Sequence, residues 1–254
     1  LDHPDEGAPD AVVTALLQGT TRFRRCVHVP VCGSTQDLAA APPADGDAVF
    51  WADHQTHGRG RQQRSWHDEP GADLAVTFRA TVALPRPIAL AAALPIAVAE
   101  AVEPLVGRAL RVKWPNDVFL DGRKLAGVLV DSGMAGRDTW LIGVGINCNR
   151  TRFPPELEAI AMSIAGACGR YVDRGMLLVA LAQRLDAALH AIAAGRLDRL
   201  TAAFRDRLGL LGRRVAIDVG GEQLGVLADV DFDALTLADG RTFALAHVRG
   251  LRAV

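Results

Sequence analysis

Lysine is almost missing from this 254-residue chain: of 28 basic residues only Lys113 and Lys124 are lysines. Asparagine is nearly as scarce, at Asn116, Asn147 and Asn149, and there is one tyrosine. Lysine and asparagine codons are A-rich, so the scarcity implies a GC-rich coding bias. Such a bias makes the surviving lysines candidates for work that a compact ammonium does and a planar guanidinium does not. Cysteine is limited to Cys26, Cys32, Cys148 and Cys168, with no CxxC pair and no Cys/His spacing. That argues against a zinc site or a secreted disulfide framework, and for reduced thiols in the cytoplasm. Charge of one sign is not in excess either. A net charge of −1 and a pI of about 6.7 supply no global basic field for DNA, RNA or an anionic membrane, so any anion site must be local. The first six residues lack a charged segment leading into an apolar one, which excludes a secretory signal there. A start at Leu1 suggests missing upstream residues. The longest apolar stretch, 88–106, is mostly alanine and holds Pro95, Glu100 and Glu103. It is too polar for a membrane span and reads as a buried helix that Pro95 can kink.

Half of the residues are hydrophobic, enough for one large domain with a small satellite. Helices are expected over 10–18, capped by Asp10, over 34–41, capped by Ser34, over 173–195, capped by Asp173, and over 197–208. Strands are expected over 25–31, 47–52, 74–78, 111–114, 118–120, 125–131 and 139–146, with a turn at Pro42-Pro43-Ala44-Asp45-Gly46 and a hairpin at Asp121-Gly122. Beyond the glycines of 209–212 only short strands follow, at 215–219, 223–229, 234–238, 242–246 and 249–252. The expected fold is α+β: a mixed-sheet domain over residues 1–208, then a small β-barrel-like domain over 209–254.

Three segments carry possible chemistry. The stretch 55–71 contains Gln55, Gly58, Arg59, Gly60, Arg61, Arg64 and a lone large apolar residue, Trp66. Glycines let backbone approach an anion and arginines offer forked donors. Composition alone does not separate such a ligand loop from a solvated or RNA-binding one. The second segment runs from Lys113-Trp114-Pro115-Asn116-Asp117 to Gly122-Arg123-Lys124-Leu125-Ala126-Gly127. Turn preferences explain its Pro, Asn and Gly, but not why both lysines lie here on either side of Asp117. That carboxylate could hold Mg2+ or orient an amine. The third, Ile142-Gly143-Val144-Gly145-Ile146-Asn147, leaves a strand with two glycines that allow close packing. Together they have the parts of an anhydride-forming site.

In succession, GRGRxxRxW, KWPND, RKLAG and GxGIN closely resemble the motifs of biotin–protein ligases, in family order and spacing from about Ser34 onward. The resemblance implies a biotin/lipoate-ligase catalytic domain with a small SH3-like C-terminal barrel. It implies ATP-dependent attachment of biotin, through biotinyl-5′-adenylate, to a lysine of the biotin carrier domain of a carboxylase. It implies that Ser34, Thr35, Gln55 and the Gly58-Arg59 backbone hold the ureido ring, and that Gly127 and Gly145 line the side-chain channel under Trp66. Lys124 then bridges the biotin carboxyl and the α-phosphate, Arg61 holds the phosphate, and Lys113, Asn116 and Asp117 lie by the phosphates and Mg2+. Asn147 is placed near the adenosine. The family's Asp-Ser-Thr-Asn stands here as Gly33-Ser34-Thr35-Gln36, so the contacts of its first and last positions are not carried over. About thirty residues before Ser34 leave no room for a DNA-binding helix-turn-helix, so a cytoplasmic monomer or weak homodimer without DNA or membrane partners is expected. A lipoate- or octanoate-attaching enzyme and a nucleic-acid-binding sensor are the rival readings. The first lacks the biotin-type motifs, and the second conflicts with the charge.

Overall fold

The structure is a computed structural model that describes residues 8–41, 46–132 and 138–254. The expected turn at 42–45 lies outside them. In chain order come α1 (Ala8–Thr20), β1 (Arg25–Cys32), α2 (Thr35–Ala40), β2 (Ala48–Gln55), β3 (Leu74–Thr81), α3 (Leu90–Val106), β4 (Arg111–Lys113), β5 (Asp117–Leu120), β6 (Arg123–Ser132) and β7 (Thr139–Ile146). The short helices α4 (Pro155–Glu158) and α5 (Ile164–Cys168) and the long α6 (Arg174–Ala193) and α7 (Asp198–Leu208) follow. Strands β1 to β7 form one mixed sheet in the order β1-β2-β3-β7-β6-β5-β4. Only β1 and β2 are parallel, and α2 lies in the crossover that parallel pairing requires. Strands β8 (Arg214–Asp218), β9 (Glu222–Val230), β10 (Ala234–Leu237), β11 (Thr242–Ala244) and β12 (Gly250–Ala253) form a second, antiparallel sheet.

Local chemistry explains most element boundaries. The Ser34 side chain accepts from the backbone N–H of Gln36 and starts α2, and Asp173 accepts from Met176 to start α6, each satisfying an amide that the helix cannot. Asp121 and Gly122 both have positive φ, 50° and 76°, the backbone of the two-residue hairpin that Asp-Gly favours. Several boundaries differ from expectation by one to three residues; β2 runs on to Gln55, β6 starts at Arg123 and α6 ends at Ala193. Helix α1 begins at Ala8, ahead of Asp10. A 3-10 turn at Leu245–His247 cuts short the strand expected over 242–246. Strand β3 is buried from Leu74 to Ala80, because helices cover both of its faces and alternation no longer tracks exposure.

Alternation along the central strands instead decides what each face does. Val76, Phe78, Val128, Ile142 and Val144 join one large core with α3 and α6. Against the expectation that 88–106 is too polar for a membrane span, Pro87–Val106 and Arg174–Ala193 are both long and apolar enough to cross one, yet 67% and 50% of their apolar windows are buried within the protein. On the opposite face α2 covers only part of the sheet, through the small cluster of Ala39, Ala48, Phe50 and Leu141. Arg79, 1% exposed, holds that helix down by donating to the carbonyls of Ala39 and Gly46. Side chains of α2 reach on to Thr77 and Gly143, and the remainder of this face carries Gly127, Leu129 and Gly145. The C-terminal sheet closes one end: Trp114 Nε1 donates to the Val248 carbonyl at 2.7 Å. The Trp114, Phe204 and Phe232 rings run in contact from one sheet to the other. The apolar core is continuous between the two sheets.

Candidate functional site

The three segments meet in a cavity of about 300 Å3 on the face that α2 leaves open. Its floor is the β6–β7 ladder, in which Leu129 pairs with Gly143 and Gly127 with Gly145. The period-2 geometry of strands puts all four on the same side.

At one end the lining is neutral and polar. Gln55 Oε1 accepts from the Thr35 backbone N–H at 2.9 Å, from Thr35 Oγ1 at 3.1 Å and from Ser34 Oγ at 3.5 Å. Thr35 Oγ1 lies 2.9 Å from Thr77 Oγ1. All four side chains are buried.

The middle of the floor is glycine, and Trp66 lies on it. A Cβ at Gly145 would come within 2.3 Å of the indole, and one at Gly127 within 3.3 Å of both the indole and Lys124 Nζ. The indole Nε1 is buried and has no hydrogen-bond partner among the described residues. Trp66 therefore covers the channel directly, and a ligand lying along the glycines must lift it.

The other end is cationic. Lys124 Nζ is 2.7 Å from Asp117 Oδ1 and 5.7 Å from the centre of the Trp66 ring. Arg61 Nη1 reaches Asn116 Oδ1 at 3.5 Å, while the Asn116 amide donates to the Val128 carbonyl at 2.8 Å. Lys113 Nζ sits 5.3 Å from the centre of the Phe119 ring. Arg64 and Arg249 also line the cavity. Arginine and lysine thus outnumber the one lining carboxylate in a protein of net charge −1, so the local field favours an anion.

The loop over 55–71 is folded rather than irregular. Gly60 donates to the Arg64 carbonyl and Trp66 to that of Gly58, around a 3-10 turn at Arg61–Gln63. A Cβ at Gly58 would lie 2.4 Å from the Trp66 carbonyl oxygen, so this close approach requires glycine. At the tip Gln62 and Gln63 take positive φ, a costly region for side chains of their kind. Arg59 donates to Asp37 on α2 at 2.7 Å. The stems are held by buried acids. Asp68 accepts from the Gln55 amide, and Asp73 accepts from the amides of Glu69 and Cys148 and pairs with Arg150. Burial pushes the Asp73 carboxyl above its ordinary range, against the pull of those amides and of Arg150. Arg150 also donates to the His67 carbonyl.

Most of the residues singled out from the sequence line this cavity: Ser34, Thr35, Gln55, Arg59, Arg61, Trp66, Lys113, Asn116, Asp117, Lys124, Gly127 and Gly145. Two do not. Gly58 acts through the loop backbone and lines the outer groove behind it. Asn147 is 5% exposed, and its amide donates to the carbonyls of Lys124 and Met162, bracing the strand that carries Lys124. Sequence reasoning set Gln36 aside and did not single out Arg249, Asp73 or Arg150. The Gln36 departure was one available signal, and the rest depend on contacts far apart in sequence. None of the four cysteines forms a disulfide among the described residues. Burial, reinforced by Asp68 and Asp37, pushes the Cys32 thiol up to about 11, so it is no thiolate nucleophile at neutral pH.

Residues 33–149 match the model of the biotin/lipoate A/B protein ligase family. The "Bifunctional ligase/repressor BirA" of Bacillus subtilis is 35% identical over 58% of this chain, which spans about half (48%) of that relative's length. The biotin–[acetyl-CoA-carboxylase] ligase of Mycobacterium tuberculosis is 30% identical over 91% of this chain and 90% of its own length. Among solved structures, the Aquifex aeolicus biotin protein ligase in complex with biotin and ATP superposes with a TM-score of 0.81 at 24% identity, over 91% of this chain and all of that one. The fold is therefore shared. With a likeness that runs nearly the full length of the mycobacterial protein, the chain belongs to the biotin–protein ligase family.

Proposed function

We propose that the chain uses ATP to attach biotin to a lysine of a carboxylase's biotin carrier domain, through biotinyl-5′-adenylate. One observation carries this reading: the cavity runs from neutral amides and hydroxyls, across a glycine floor, to Lys124 and Arg61. That sequence of surfaces complements a cyclic urea, an aliphatic chain and a carboxylate about to meet a phosphate. Ser34, Thr35, Gln55 and the Arg59 backbone hold the ring, and Gly127 and Gly145 underlie the chain. Lys124 Nζ lies between the carboxylate and the α-phosphate, Arg61 holds the phosphate, and Asn147 supports the site through the Lys124 backbone.

The chemical obstacle is electrostatic. Two unit anions 4 Å apart repel by about 4 kcal/mol at the dielectric near a protein surface, about a thousandfold in rate. Lys124, Arg61, Lys113 and Arg249 offset this repulsion and the charge that grows as the carboxylate attacks α-phosphorus and pyrophosphate leaves. Asp117 keeps the Lys124 ammonium in place. Asp117 and Asn116 at the phosphate end also fit Mg2+, which needs few protein ligands when phosphates and water supply the rest. When bound it would add a Lewis-acid charge on the phosphates. Trp66 then shields the anhydride from water until the carrier lysine attacks its carbonyl and AMP departs.

The proposal places the protein in the cytoplasm as a monomer or weak homodimer without DNA or membrane partners, in keeping with the lack of disulfides among the described residues and the near-neutral charge. The test is incubation with labelled biotin, ATP, Mg2+ and a biotin carrier domain, with labelled lipoate in parallel. Label on the carrier from biotin alone is expected. Label from lipoate alone, or from neither, would overturn the reading.

A further inference from the structure

We infer that Gln36 is a specificity-determining residue of the neutral end of the cavity: its Oε1 accepts an N–H of the bound cyclic urea. The inference rests on the reading of this cavity as a biotin site.

Gln36 stands on the first turn of α2 and is 3% exposed, yet it lines the cavity. Its Nε2 donates to the Leu129 carbonyl at 3.5 Å and lies 3.0 Å from where a Cβ of Gly143 would be. Leu129 and Gly143 are register partners, so the amide lies against the floor where only a glycine leaves it room. The Leu129 carbonyl also fixes the orientation of the amide, because the reverse orientation would set oxygen against oxygen. Oε1 is then buried and accepts no hydrogen bond from any described residue. A buried acceptor without a donor is costly and needs an explanation. A ligand that brings the donor provides one.

The polar groups nearby are divided in a way that suits a urea. A cyclic urea has one carbonyl acceptor and two N–H donors. Gln55 Oε1 already takes hydrogen bonds from Ser34 and Thr35, so Gln55 has mainly its Nε2 donor left to offer. Gln36 Oε1 is the free acceptor on the same wall. An asparagine, one methylene shorter, would not extend as far from α2 across the floor.

The test compares wild type with Gln36→Met, which keeps the length and removes the acceptor. Biotin affinity is measured by calorimetry without ATP, and carrier labelling by kcat/KM. Both use biotin and its two mono-N-methylated ureido isomers. Wild type is expected to reject one isomer more strongly than the other. Gln36→Met should weaken biotin on the order of tenfold, raise the KM for biotin in step, and lose the discrimination between isomers. Should the Met variant fold poorly, Gln36→Asn serves, with the same loss of discrimination expected. An active variant of either kind that binds biotin and ranks the isomers as wild type does would overturn the assignment of Gln36. A wild-type protein that neither binds nor ligates biotin would overturn the reading of the whole site instead.

Discussion

Adding one methyl group at Gly145 tests whether Trp66 is the cover of the channel. In Gly145→Ala the new Cβ would sit 2.3, 2.5 and 2.8 Å from three carbons of the indole, well inside van der Waals contact. The indole is rigid and Gly145 is held on both sides by β3 and β6, so the tryptophan must move. Overpacking of this kind costs about 1–3 kcal/mol, which corresponds to roughly a 5- to 150-fold shift in the closed population. Gly127→Ala is the graded control, since its Cβ would meet the indole at 3.3 Å and needs a shift of only tenths of an ångström. Because a ligand lifts Trp66 off the floor, the clash acts on the empty enzyme, and biotin entry should quicken by up to that factor in Gly145→Ala and much less in Gly127→Ala. Faster hydrogen exchange over 55–71 should accompany it. The decisive measurement is the double variant with Trp66→Ala. If the clash is the cause, Gly145→Ala adds almost nothing once the indole is gone. An undiminished penalty in the Trp66→Ala background would mean that the methyl obstructs the ligand rather than the cover, and would refute the assignment.

Lys124→Arg should lose about 10²–10³ in the rate of adenylate formation although charge is kept, because a fork does not fit a point held by one ammonium 2.7 Å from Asp117. Supplied biotinyl-adenylate should partly restore carrier labelling, and normal adenylate formation by this variant would sink the role. Arg249→Ala should raise the KM for ATP several-fold and leave biotin affinity alone, since Arg249 reaches the cavity from the C-terminal sheet; an unchanged KM would remove it from the nucleotide site. Point substitution is the cleaner test of that sheet, because its truncation would expose the core shared through Phe204. Asp73→Ala should cost about 3–5 kcal/mol in urea unfolding, because it strands a buried Arg150, and a loss below 1 kcal/mol would contradict the burial of the pair.

Sequence and tertiary structure divided the work along a physical line. Whatever depends on a few neighbouring residues was legible in the chain: the caps at Ser34 and Asp173, the Asp121-Gly122 hairpin, the change to short strands after Gly212, and the motifs that gather both lysines near one carboxylate. Side-chain chemistry and the strand period act over a handful of positions, so a linear reading reaches them. What it could not reach is set by register and by packing between distant segments. Only the β6–β7 pairing brings Gly127 opposite Gly145 and makes one floor of two motifs. Only the return of the loop lays Trp66 upon that floor, and only the docking of the second sheet brings Arg249 to the cavity. Asn147 looks like a ligand residue in its motif, yet its amide is committed to the carbonyls of Lys124 and Met162. Gln36 looks like a loss at the end of its own motif, yet the Leu129 carbonyl engages its Nε2 and leaves its Oε1 buried without a donor among the described residues. In both cases a polar side chain's role follows from which partners folding has already given it, and those partners lie far away in the chain.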